Sequence, residues 1–139
     1  PQLSVHRIEN LARFVLKILS ERKRNHAMVL KDFSFDDGFI RLLNLPVSGL
    51  GFDITTTPAS SIEKHSFSDK ILTVGIINSF NTAIEKPQEC IKQVDEINAK
   101  TKPKESYVSN NFDLEYVPKE FAMNKISVLG EIARGAKDV

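Results

Sequence analysis

Few residues in this 139-residue chain could do chemistry. The candidates are one thiol (Cys90), three imidazoles (His6, His26 and His65), the adjacent carboxylates Asp36 and Asp37, and a proline at position 1. Metal sites need ligands that converge, commonly through histidines three or four residues apart or through CxxC spacing. No histidine here stands at such a spacing from another, and no HExxH or CxxC occurs, so no metal or other cofactor is expected. Cys90 falls in the first turn of a predicted helix, where the macrodipole can lower a thiol pKa and make it reactive. The competing reading is a small apolar residue beside Ile91.

Ser60 and Ser61 sit in a polar connection, without the GxSxG elbow that exposes a nucleophilic serine. Gly49-Leu50-Gly51 precedes a strand instead of following one and opening a helix, so a turn between two strands is expected there and not a phosphate cradle. Asp36 and Asp37 fall at a hairpin tip, where aspartate suits turn geometry. An exposed tip supplies none of the burial that tunes a general acid–base pair.

The run Glu21–His26 contributes a candidate basic patch, Arg22, Lys23 and Arg24, which could meet a phosphate backbone or an acidic partner. Such a patch would have to recruit distant lysines such as Lys102 and Lys104. With 19 basic against 18 acidic residues the net charge is +1. Nucleic-acid binders usually show a clear basic excess, so that reading is disfavoured. An N-terminal proline that opens PQLSV, then a helix and AMVLKDF, readable as β-α-β, resembles the tautomerase family, in which the proline amine is a general base. The resemblance implies that role for Pro1. It covers only the first 35 or so residues, and the Asp37-Gly38 turn and long C-terminal half depart from that compact pattern.

The elements that must position these residues are read from periodicity. Val5, Ile8, Leu11, Ala12, Val15, Ile18 and Leu19 form one apolar stripe, which predicts an amphipathic helix over 4–24. Asp37-Gly38 between two apolar runs predicts a hairpin with strands near 28–35 and 39–45. GLGFDITTTP reads as a third strand, which makes an antiparallel meander on the first helix. Residues 58–69 read as a polar loop, and KILTVGII as a buried strand with a helical alternative. Pro87 opens a helix with Ile91, Val94 and Ile97 inward. NFDLEYVP reads as a strand, with Phe112, Leu114 and Tyr116 inward. Pro118 opens the last helix, with a stripe at Ala122, Ile126, Leu129 and Ala133.

The expected fold is therefore α+β, a single domain over 1–139. An antiparallel sheet of about four to five strands packs on the N-terminal helix, and two further helices follow. The chain has a hydrophobic content of 41% and one cysteine, with no signal core and no apolar run long enough to span a bilayer. A cytoplasmic location, or one within an assembled particle, is expected. The favoured function is a non-catalytic interaction or structural subunit of a larger assembly that binds a protein partner or itself. The candidate interface is the set of off-stripe apolar residues Phe14, Leu16, Phe121, Met123 and Val128. A small enzyme using Pro1 or Cys90 is the first alternative, and a nucleic-acid binder the second.

Overall fold

The computed structural model describes residues 27–30, as strand backbone, and residues 43–137. Among the described residues four strands, β1 (Ala27–Leu30), β2 (Gly49–Asp53), β3 (Ile71–Ile77) and β4 (Glu105–Asn110), form a sheet in the order β1-β2-β3-β4. Every pairing is parallel. The connections carry the helices α1 (Ala59–Ile62) and α2 (Pro87–Thr101). A short 3₁₀ turn (Leu114–Tyr116) and α3 (Lys119–Gly135) follow β4.

Parallel neighbours cannot be joined by a tight turn; the chain must cross back, usually through a helix. The β3–α2–β4 unit shows this. Pro87 stands at the first helical position, Glu89 favours the N-terminal end and Lys100 the C-terminal end. Cys90, Val94, Ile97 and Thr101 recur at three- and four-residue steps and are buried. The helix stops at Lys102, which adopts a left-handed φ of 48° and donates its N–H to the Asn98 carbonyl at 2.9 Å. Pro103 then forbids continuation.

The core lies between the sheet and these helices. Leu50 pairs with Leu72 and Phe52 with Val74, so their side chains share one face. They join Ile62, Phe67, Ile76, Val94, Ile97 and Ile132 in a single cluster. Burying each such side chain contributes roughly 1.5–3 kcal/mol. Ser106 of β4 donates to the Asn98 side chain of α2 at 2.8 Å, which fixes the helix-facing side of that strand. Lys70 is also buried, its ammonium donating to the carbonyls of Leu45 and Val47, each at 3.2 Å. It ties the approach to β2 onto the start of β3.

The expected antiparallel sheet is thus replaced by a parallel one. β1 pairs directly with β2 in the same direction, whereas the expected meander would set the 39–45 strand between them. The Asp37-Gly38 turn and the predicted helix over 4–24 lie outside the described residues. The Gly49-Leu50-Gly51 turn is in fact strand β2. A Cβ on Gly49 would come within 3.0 Å of Ile71 Cβ and of the Ile71 carbonyl oxygen, so glycine permits the close strand approach. Residues 71–77 are strand, and their near-continuous apolar run matches a strand covered on both faces.

The last strand is misplaced in the sequence reading. β4 occupies 105–110, and the predicted strand 112–117 is a loop with a 3₁₀ turn. Phe112 and Tyr116, expected inside, are exposed. Within α3 the buried positions are Lys125 and Ile132, while Ile126 of the predicted stripe faces out. Among the described residues no helix is long and apolar enough to cross a membrane.

Candidate functional site at the carboxyl edge of the sheet

Because the strands are parallel, the loops that leave β2, β3 and β4 emerge at one edge. Sheets of this kind commonly place ligand sites there. Two of the strands lead into the same Asn-x-Phe pattern, Asn78-Ser79-Phe80 after β3 and Asn110-Asn111-Phe112 from the last residue of β4. The loops interlock. Asn111 N–H donates to the Ile77 carbonyl at 2.8 Å and its side-chain oxygen accepts from Ser79 N–H at 2.9 Å. Ser79 Oγ in turn donates to the Phe112 carbonyl at 2.6 Å.

The other end of the Asn111 amide reaches β2. Its Nδ2 donates to Asp53 Oδ2 at 3.2 Å and to Thr55 Oγ1 at 2.9 Å. Asp53 Oδ1 accepts from the Thr55 N–H at 2.9 Å and from Thr55 Oγ1 at 2.6 Å. Asp53 and Ser79 are fully buried and Asn111 nearly so. A buried carboxylate without such donors would be strongly destabilising. Here neutral donors satisfy it, and among the described residues it has no cationic partner. These three are positioning residues, because solvent does not reach them.

A second anchor holds the β3–α2 loop. Lys125 of α3 is wholly buried, and its ammonium donates to both Glu85 carboxylate oxygens at 3.1 Å and to the Ala83 carbonyl. Glu85 Oε1 also accepts from the Asn78 N–H at 2.9 Å. Removing one member of a buried pair leaves the other charge uncompensated, so this contact pins the loop firmly.

What these anchors present to solvent is aromatic. Phe80, Phe112 and Tyr116 are 49%, 42% and 59% exposed. Their ring centroids are 5.5 to 5.7 Å apart, with interplanar angles of 27°, 31° and 38°. Half-exposed rings in mutual contact, held on hydrogen-bonded loops, form a platform rather than a core. Asn78 and Asn110 lie half-buried beside it in sequence. Asp113 and Glu115 add exposed carboxylates between the ring-bearing positions.

The residues singled out from sequence fall elsewhere. Cys90 is in the first turn of α2 and buried. Its thiol pKa is raised by burial, and further by Glu85 and Glu89, the direction opposite to the lowering that a helix N-terminus can give. His65 follows α1, at the opposite edge of the sheet from Cys90, and desolvation followed by the Lys64 charge lowers its pKa. Ser60 and Ser61 lie in α1. Lys102 and Lys104 are exposed at the amino edge. Pro1, Phe14, Leu16, the Arg22–Lys23–Arg24 patch, Asp36 and Asp37 lie outside the described residues. Of the remaining interface candidates, Met123 is exposed, whereas Phe121 and Val128 are half-buried and Val128 packs on the core.

A cleft of about 440 Å³ opens between α2, α3 and β4, lined by residues such as Asn98, Lys104, Ser106 and Lys137. It lies over the helix-packed amino half of β4, away from the interlocked loops, and gathers no convergent chemistry. Among the described residues no group of His, Cys, Asp and Glu is arranged to hold a metal ion. Comparison with protein-family models and with curated protein sequences yields no match, so the reading of this site rests on its geometry alone.

Proposed function

We propose that this chain is a small-molecule-binding β/α domain of the kind enzymes use, with its ligand seated over the loops at the carboxyl edge of the parallel sheet. One observation carries the reading: the half-exposed Phe80–Phe112–Tyr116 cluster is fixed by buried hydrogen bonds that converge on Asn111. Rigid loops that present aromatic faces, with a few polar groups beside them, are what a preorganised ligand site requires. The contacting groups are the three rings together with Asn78 and Asn110. Asp53, Ser79 and Asn111 set their positions. A thermal-shift and NMR screen of a small-molecule library tests this. Hits that perturb the amides of residues 78–81 and 110–116, and that weaken in Phe112→Ala, support it; a library silent at this edge refutes it.

A second reading, a protein-contact module, is favoured by the outer face of α3. Met123 and Ile126 stand three residues apart and are each more than half exposed. Adjacent exposed apolar side chains of this sort suit a protein interface. Molar mass by light scattering over a wide concentration range tests it. A discrete oligomer that dissociates in Met123→Glu supports self-association through this face, and a monomer throughout removes it.

A further inference from the structure

The rings of the carboxyl edge have a definite electrostatic setting. The two segments that carry them, residues 76–85 and 109–118, contain the carboxylates Glu85, Asp113 and Glu115 and no lysine, arginine or histidine. Glu85 is neutralised by Lys125. Asp113 and Glu115 are exposed and flank Phe112 and Tyr116 in the chain. Lys86, which ends the β3–α2 loop, pairs with Glu89 at 2.8 Å, and among the described residues Asp113 and Glu115 have no ion-pair partner.

Ring orientation points the same way. An aromatic ring is negative on its faces and positive at its edge. Phe80 and Phe112 are stacked at 27°, and Tyr116 is tilted against them by 31° and 38°. A charge set over an outer face of this cluster meets the negative side of a ring quadrupole. A cation within about 6 Å of such centroids is attracted, most strongly when partly desolvated. An anion would meet both the ring faces and the two carboxylates as repulsion.

We propose that the Phe80–Phe112–Tyr116 platform, flanked by Asp113 and Glu115, binds the cationic group of a small organic ligand, an alkylammonium or quaternary ammonium. This rests on the small-molecule reading of the same edge and names the chemistry of the ligand. Cation–π attraction to the rings supplies the recognition, and the two carboxylates supply longer-range attraction that weakens with salt.

The test is an amide NMR titration of the full chain with choline and tetramethylammonium, set against 3,3-dimethylbutan-1-ol, the uncharged isostere of choline. Both cations are expected to shift the amides of Phe80, Phe112, Asp113 and Tyr116 saturably, and the isostere to bind about fivefold more weakly or less. Tyr116→Leu and Phe80→Leu, at exposed positions, should each weaken the cations about as much. Asp113→Asn with Glu115→Gln should remove the salt dependence. Equal binding of the isostere, or cation binding insensitive to the ring variants, overturns the proposal. So does response to an arginine-bearing peptide with none to choline, because that assigns the rings to a protein partner. A neutral organic probe that shifts residues 78 and 110 where choline does not would overturn the cation and leave the small-molecule reading standing. An edge silent to every probe removes both.

Discussion

Asn111, in the loop after β4, donates its side-chain amide to Asp53 at the end of β2, 58 positions earlier in the chain, across 3.2 Å. The same side chain accepts from Ser79 after β3, so one residue couples three successive loops. Asn111→Ala removes donors from a buried carboxylate and an acceptor from a buried N–H. The expected cost is on the order of 2–3 kcal/mol, from groups left unsatisfied. Chemical denaturation should show it as a lowered midpoint with an unchanged slope. Asn111→Asp, which brings a second carboxylate towards Asp53, should be worse at pH 7 than at pH 4.

Lys125 and Glu85 give a second, separable prediction. Glu85→Gln leaves a fully buried ammonium without its counter-charge and should cost on the order of 3 kcal/mol. Lys125→Met fills the same space and leaves the carboxylate, which is partly solvated, so its cost should be smaller. The double variant Lys125→Met with Glu85→Gln should recover part of the loss. A double-mutant cycle by urea denaturation measures the coupling, and strict additivity would contradict the buried pair.

Cys90 should behave as an inert thiol. Burial and the neighbouring Glu85 and Glu89 raise its pKa, so the folded chain holds the thiol proton more tightly than the unfolded chain. The associated stability is fully present below the unfolded thiol's pKa and is lost as pH rises through the folded one. Alkylation by iodoacetamide at pH 7.5 should therefore be slower than for a free thiol, and should accelerate only in alkali or denaturant. The difference in melting temperature between the native chain and Cys90→Ala should shift against the native chain on going from pH 7 to pH 10.

Lys102 is a non-glycine residue at φ 48°, where glycine carries no Cβ penalty. Lys102→Gly should stabilise the chain by roughly 0.5–1 kcal/mol, the usual gain where a left-handed cap is required. Thermal denaturation should show a rise of a few degrees. Lys102→Val should lower the melting temperature, because β-branching is poorly tolerated at positive φ.

Much of the local structure was legible in the sequence. Pro87 with its run of inward Val94 and Ile97, Pro118 with the helix behind it, and the β-branched ILTVGII each fix their own element through short-range sterics and periodicity. The strand Glu105–Asn110 was missed because Glu, Ser and Asn dilute its apolar signal. Asn111 and Phe112 were misread because alternation of apolar and polar residues looks alike in a strand and in a loop that exposes its rings.

Sequence by itself determined where chain segments become helix or strand, since those preferences act over a few residues. Tertiary structure alone decided their direction and company. A period of two residues is the same in parallel and antiparallel strands, so alternation could not report that the chain crosses back through a helix after β3. Nor could spacing reveal that Asp53, Ser79 and Asn111 converge. Their contacts span 32 to 58 positions and exist only because parallel strands deliver all three loops to one edge.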